Sequence, residues 1–367
     1  MHIVHTYSKN MGIDINNKDK FTFADRWGLV SQAKLGHNVT LICGGNNKKK
    51  KTYKWKGINV IELPVSFELT DTSRLIKCLF RELLTINADV FHTHHYCFLV
   101  PEITLLAAKL CRKPVFLTVH VAFNEQVDFK RIIERAYYLL FQPSLWFYNK
   151  VFYISKYLTK KYIGSNKEIL YNHFQNQSKI KIKRKDNTIF FIGRLVHLKG
   201  LDIVIKAISI VKQEIPNIKL EIVGDGFNNY KQKLQELVKK LNLEDNIKFC
   251  GLVYGNEKWK KYYSSTIQVI SSREEGFGNV VIEGMLCNLP VIVSNKGALV
   301  EAAGGNSLVF DIASPKDLAE KIIKLIKNKK LRNNMAKDAK NYADMFTTDN
   351  IGKQTIKTYK QYVVCAE

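Results

Sequence analysis

The feature that most constrains this chain is its rhythm. Short apolar runs alternate with longer amphipathic segments through most of the sequence, the pattern left by βαβ units around parallel sheets. Strands are predicted at 2–7, Val39–Ile42, Val60–Leu63, Asp89–His92, Pro114–His120 and Lys150–Ile154, with a helix over about 22–35 and Ser155 as the N-cap of another. Residues 171–188 include KIKIKRKDN and carry no sustained helical period, so they read as a linker. The alternation then restarts, with strands Ile189–Ile192, Lys219–Val223, Ile247–Cys250, Ile267–Ser271 and Pro290–Ser294 separated by helices 200–214, 228–241, 256–264 and 279–287. At 367 residues the chain exceeds one ordinary core. The expectation is α/β with two doubly wound domains, 1–170 and 189–345, joined by the linker. A terminal helix at 346–367 is expected to pack back on the first domain. In such sheets ligands bind beyond the carboxyl ends of the strands.

A hydrophobic content of 46% excludes a disordered chain. The net charge of +24 has no single basic tail behind it: 25 basic residues face 13 acidic ones in 1–170, and 32 face 20 in 171–367. Such an excess suggests anionic partners, whether phosphorylated substrates, an anionic membrane surface or nucleic acid. No recognition module or aromatic–cation stripe supports nucleic acid. Seven scattered cysteines without a C-x-x-C fit a reducing compartment better than a disulfide framework. With neither a signal-peptide pattern nor a membrane-spanning run, a cytoplasmic location is expected, either soluble or peripheral on the cytoplasmic membrane face.

Four segments carry chemical signals, two of them weak. In FIGRLVHLKG, Gly193 allows a sharp turn after a strand, while Arg194 and Lys199 offer a guanidinium fork and a compact cation to phosphate at a helix N-terminus. Gly224 in Val223-Gly224-Asp225-Gly226 and Gly251 in Phe249-Cys250-Gly251 are weaker turn signals. In SSREEGFGNVVIEGMLCNLPVIVS, Glu275 and Glu283 lie eight positions apart, the first in a glycine-containing loop and the second on a helix. That spacing suits a long ligand, with carboxylates at its two ends and phosphates on the turn amides between them.

Residues 191–294 resemble the C-terminal domain of retaining GT-B glycosyltransferases of the family 4 type, which pair G-R-L-x-x-x-K-G with E-x7-E. Leu35-Gly36-His37-Asn38-Val39, Asp89-Val90-Phe91-His92-Thr93-His94, Thr118-Val119-His120 and Asn172 resemble further ordered positions of the family. The resemblance implies two Rossmann-like domains facing across a cleft. It implies transfer from a UDP- or GDP-sugar to a saccharide or lipid-linked acceptor, in polysaccharide, lipopolysaccharide or glycolipid synthesis, without a metal cofactor. By the same likeness Arg194 and Lys199 hold the diphosphate, Glu283 the ribose and Glu275 the transferred sugar. Amides of Gly276, Phe277 and Gly278 line that pocket, and His120 reaches the sugar. The chain departs from the family pattern at Asn288, where glycine is usual, at His173 and Gln175 in the linker motif, and in SKNMGIDINNKDKF, which lacks a double glycine.

Two further features are ambiguous. His92, His94 and His95 form H-x-H-H, whose spacing along one strand end is poor for a closed metal site. Tyr137–Phe141 and Leu145–Tyr148, with Lys130, Arg131 and Arg135 before them, resemble an interfacial surface with a basic rim, although a buried helix and hinge is the favoured reading. Two other functions fit the composition: a nucleotide-sugar epimerase, and a non-enzymatic nucleotide-sugar or nucleic-acid binding protein.

Overall fold

In the computed structural model, the described residues are all except 10–24, 69–73, 95–98, 121–132, 134, 135, 138, 176–179, 227–228 and 364–367. His95, Lys130, Arg131, Arg135 and most of SKNMGIDINNKDKF therefore lie outside the described residues. The chain divides into two units, Met1–Gln175 with Thr348–Glu367, and Asn176–Thr347.

In the first unit the strands are β1 (His2–Tyr7), β2 (Asn38–Gly45), β3 (Lys51–Trp55), β4 (Ile58–Glu68), β5 (Arg74–Ile76), β6 (Val90–His94), β7 (Val115–Val119), β8 (Lys150–Tyr153) and β9 (Lys167–Ile169). They form one sheet in the order β3-β4-β2-β1-β6-β7-β8-β9, with β5 on β4. The run from β4 to β8 is parallel, and β3 and β5 pair antiparallel to β4. Central strands such as β6 and β7 are buried at every position, as expected where helices cover both faces. Ser155 accepts a hydrogen bond from the Leu158 amide (3.2 Å) and so caps helix Lys156–Thr159. Helix Thr348–Val363 packs in this unit, with Ile351, Ile356 and Tyr359 in one core with Ile3, Val90, Phe116 and Phe152. Its Gly352 lies so close to helix Asp25–Lys34 that an added Cβ would meet Ser31 Oγ at 2.0 Å.

The second unit is a sheet of β10 (Thr188–Ile192), β11 (Lys219–Val223), β12 (Ile247–Phe249), β13 (Ile267–Ile270), β14 (Val291–Ser294) and β15 (Leu308–Phe310), all parallel, in the order β12-β11-β10-β13-β14-β15. By position in the chain this is the 3-2-1-4-5-6 order of a doubly wound sheet, whose strand order reverses between β10 and β13. The parallel run of the first unit has the same order and reverses between β1 and β6. Each reversal opens a crevice beyond the strand ends, and the residues singled out above cluster at those two places.

Candidate active site

In the second unit the loops leaving β10 and β13 flank the crevice. At the ends of β10, β11 and β12 three glycines stack backbone on backbone: the Gly193 amide donates to Val223 O (3.0 Å) and the Gly224 amide to Gly251 O (2.8 Å). Gly224 has φ +139°, and a Cβ there would stand 1.9 Å from Gly193 O, so a side chain cannot enter without moving the loop. The two flanking loops are stapled together. Ser271 Oγ donates to Lys199 O (2.8 Å), and Arg273 forms a two-pronged pair with Asp202 (3.0 and 2.8 Å) at the first turn of helix Leu201–Glu214. Sequence reading missed Arg273 and Asp202.

On this frame Lys199 and Glu275 come together as an ion pair, and Ser272 Oγ also donates to Glu275 (3.2 Å). The Arg194 side chain is exposed and has no partner among the described residues. Neither glutamate is a solvated surface residue. Glu283 sits on helix Asn279–Leu286, where one carboxylate oxygen accepts from Lys258 (2.6 Å) and the other from the Tyr262 hydroxyl (2.6 Å). Burial beside that carboxylate pushes the Tyr262 hydroxyl well above its ordinary pKa. Lys258 lies over the Trp259 ring (4.9 Å), so it is held on two sides. Neither Lys258 nor Tyr262 had drawn attention in the sequence. Gly278, with φ +93°, precedes the helix, while the Phe277 side chain turns inward onto Phe346 (5.7 Å).

In the first unit the crevice between β1 and β6 gathers histidines. His5, His92, His94, His120 and His173 line one cavity together with Gln32, Thr118 and Asn172. His5 Nδ1 meets His94 Nε2 at 2.8 Å, and His94 Nδ1 meets His120 Nε2 at 3.3 Å. Desolvation drives the pKa of His5 down to about 4 and those of His120 and His173 to about 3. His173, which stands where the family pattern has glycine, lies against Gly28, where a Cβ would be 2.8 Å from its Nε2. Among the described residues, nitrogens of His5, His92 and His94 lie within 4.8 Å of one another, close enough for one metal ion. The His92 and His94 rings are stacked, however (4.2 Å, 19°), so their in-plane lone pairs run side by side instead of converging. The hydrogen bonds make these rings a chain.

The segment around 137–148 corrects the favoured reading of a buried helix. Tyr137, Leu145 and Tyr148 do point inward, but Leu139 (63%), Leu140 (75%), Trp146 (55%) and Phe147 (62%) are exposed. Ile163, Leu106 and Leu110 of the same unit are exposed too. Among the described residues, no helix is long and apolar enough to cross a membrane.

Residues 173–342 match the model of glycosyl transferases group 1, and residues 30–165 match that of glycosyltransferase family 4. An uncharacterised glycosyltransferase of Methanocaldococcus jannaschii is 30% identical over 74% of this chain and 75% of its own length. Among solved structures, sucrose-phosphate synthase of Thermosynechococcus elongatus aligns with a TM-score of 0.73 over 99% of both chains at 17% identity. Anabaena HepE, solved in complex with UDP and glucose, aligns with a TM-score of 0.72 over 98% of this chain and 100% of that one at 18% identity. The fold is therefore GT-B, and the chain belongs to the family 4 type of glycosyltransferases.

Proposed function

We propose that this glycosyltransferase takes its sugar from a nucleoside diphosphate donor, a UDP- or GDP-sugar, holds it in the crevice of the second unit, and transfers it with retention of the anomeric configuration. The observation that carries the reading is the Lys199–Glu275 pair at the reversal between β10 and β13, with the exposed Arg194 guanidinium, which has no partner among the described residues, on the same loop as Lys199. A diphosphate placed there meets Arg194 and Lys199, while Glu283 offers remaining lone pairs to ribose hydroxyls and Glu275 faces the sugar. Fixed cations and backbone dipoles supply the charge that a divalent metal supplies elsewhere, so the reading includes metal-independent transfer. Anabaena HepE was solved with UDP and glucose, which makes UDP-glucose the first donor to try. His120 is read as a sugar contact on the likeness to the family alone.

The test is a melting screen with UDP, UDP-glucose, GDP and GDP-mannose, each with and without EDTA. A donor present at about 100 times its Kd raises stability by about 2.7 kcal/mol. The shift is expected with one nucleotide series and to persist in EDTA; no shift with either series removes the donor site, and a shift lost in EDTA removes metal independence. Incubation with the sugar nucleotide alone separates transfer from epimerisation, because only an epimerase turns the donor into a different nucleotide sugar, whereas a transferase at most hydrolyses it.

For the acceptor, the exposed Leu139, Leu140, Trp146 and Phe147 on a strongly basic protein support a saccharide carried on a lipid at an anionic membrane surface, in polysaccharide, lipopolysaccharide or glycolipid synthesis. Sedimentation with phosphatidylglycerol vesicles is expected to capture the protein at low salt, with capture falling about tenfold or more in Leu140→Asp and on addition of salt. Equal capture by phosphatidylcholine vesicles, or an unaffected Leu140→Asp, would refute membrane docking through this patch.

A further inference from the structure

Glu283 is held at both ends. At its backbone, an added Cβ on the neighbouring Gly284 would stand 1.9 Å from Gln268 Oε1, so helix Asn279–Leu286 lies directly against β13 there. At its tip each carboxylate oxygen has its own donor, Lys258 Nζ on Oε1 (2.6 Å) and the Tyr262 hydroxyl on Oε2 (2.6 Å). Both donors come from helix Gly255–Ser264, four positions apart and so on one face of it.

Each donor is itself anchored. Tyr262 is fully buried, edge-on to Phe190 (4.8 Å, 74°) and stacked on Trp259 (5.6 Å, 30°). Lys258 lies over the rings of Trp259 (4.9 Å) and Tyr262 (5.9 Å). Burial, together with the nearby Glu283 charge, keeps the proton on the Tyr262 hydroxyl, which therefore stays a donor.

Stability alone does not account for this arrangement. A nearly buried ion pair adds little over an apolar pair of the same size, because desolvation of both charges offsets their attraction. What the two donors supply is orientation. The last torsion of a glutamate side chain is soft and broad, so a carboxylate held through one oxygen swings its plane, and one held through both does not. Of its roughly four acceptor positions one on each oxygen is taken, which leaves one on each oxygen in a fixed common plane. Two coplanar acceptors side by side suit two neighbouring hydroxyls, as on a ribose; a deoxyribose lacks the pair.

We propose that Lys258 and Tyr262 are positioning residues that clamp the Glu283 carboxylate in the plane that takes a ribose diol, so that the site discriminates ribonucleotide from deoxyribonucleotide donors. The inference rests on the reading that Glu283 holds the ribose hydroxyls. A site built to bond a hydroxyl rejects the analogue that lacks it, because its own polar group is then left unpaired.

The test uses the full chain and calorimetric titration with the nucleoside diphosphate chosen by the melting screen, UDP or GDP, against its 2′,3′-dideoxy analogue. Base and diphosphate are the same in both, so a general loosening of the site weakens both alike and leaves the ratio of their Kd values unchanged. Only the grip on the ribose moves that ratio. Wild type is expected to prefer the ribo form by about 10–100-fold. In Tyr262→Phe and in Lys258→Met the preference is expected to fall by about fivefold or more, with binding of the dideoxy analogue unchanged. Tyr262→Phe keeps the buried ring, so it decides the matter if Lys258→Met does not fold. A preference unchanged in either folded variant overturns the clamp. Glu283→Gln separates the two levels. If wild type shows no preference, or Glu283→Gln keeps it in full, the ribose reading falls and the clamp with it; if Glu283→Gln loses the preference while Tyr262→Phe keeps it, only the clamp falls.

Discussion

Alanine at Arg194 is expected to lower sugar transfer by about 10²–10³-fold at an unchanged melting temperature, whereas alanine at Glu283 lowers both. The sequence alone predicts that both substitutions leave the fold intact; the structure separates them. Arg194 is exposed, with no partner among the described residues to lose, so only the stabilisation of charge on the departing nucleotide goes with it. Glu283 accepts from Lys258 and from the Tyr262 hydroxyl, each at 2.6 Å, with Lys258 and Glu283 side chains both 11% exposed. Its removal strands a nearly buried ammonium and a buried hydroxyl. Breaking such a pair costs about 3 kcal/mol or more, which in a unit of this size lowers Tm by roughly 6–12 °C. The double variant Lys258→Met/Glu283→Gln should recover much of the stability and none of the activity. Initial rates and calorimetry on the same samples decide the matter. Wild-type turnover in Arg194→Ala removes that residue from the phosphate site, and an unshifted Tm in Glu283→Ala shows that the Lys258 pair contributes nothing.

The reason Glu283 was legible and its partners were not is geometric. A strand buried on both faces, such as Thr188–Ile192 (TIFFI) or Val291–Ser294 (VIVS), writes itself as an apolar run, so the core strands and the loops beyond them could be read directly. Those loops hold Arg194, Lys199 and Glu275. Lys258 and Tyr262 lie 25 and 21 residues before Glu283, and Asp202 lies 71 before Arg273, distances that only the folded sheet closes. The histidine chain is similar. Each member is visible, yet His5 meets His92 and His94 only because β1 and β6 are neighbours, with His5 in register with His92. Strand β3 (KTYKW) went unread because it follows the Lys48–Lys51 tract, although Trp55 does point inward from an edge strand. Around 137–148 apolar residues point both ways, and composition could not say which of them would be covered.

Mild acid is expected to unfold the first unit while leaving the second intact. An unfolded histidine takes its proton near pH 6.5. In the first unit, burial lowers His5 to about 4, His120 and His173 to about 3, and holds His92 well below its ordinary value. Between pH 6.5 and about 4 the unfolded chain therefore binds more protons than the folded one. Stability is fully present above pH 6.5 and is lost as the pH falls, by at most about 1.4 kcal/mol per pH unit for each histidine. The losses do not simply add, since each imidazolium formed opposes the next across a few ångströms. Glu102 works in the opposite sense: burial raises it to about 7, so the folded state binds its proton first and gains stability over the same range, offsetting roughly one histidine. In the second unit the shifted carboxylates, Asp202, Glu221, Asp225 and Asp317, are all lowered by their cationic partners or hydrogen bonds and lose their contribution only below their ordinary range. Trp27, Trp55 and Trp146 belong to the first unit and Trp259 to the second, so fluorescence of a Trp259→Phe variant follows the first unit alone. Its midpoint should fall steadily from pH 7 to pH 5, and His5→Gln, which keeps a hydrogen-bonding group without a titrating one, should flatten that fall. A midpoint independent of pH over this range, or a second unit that melts first, would show that the imidazoles are not held neutral by burial.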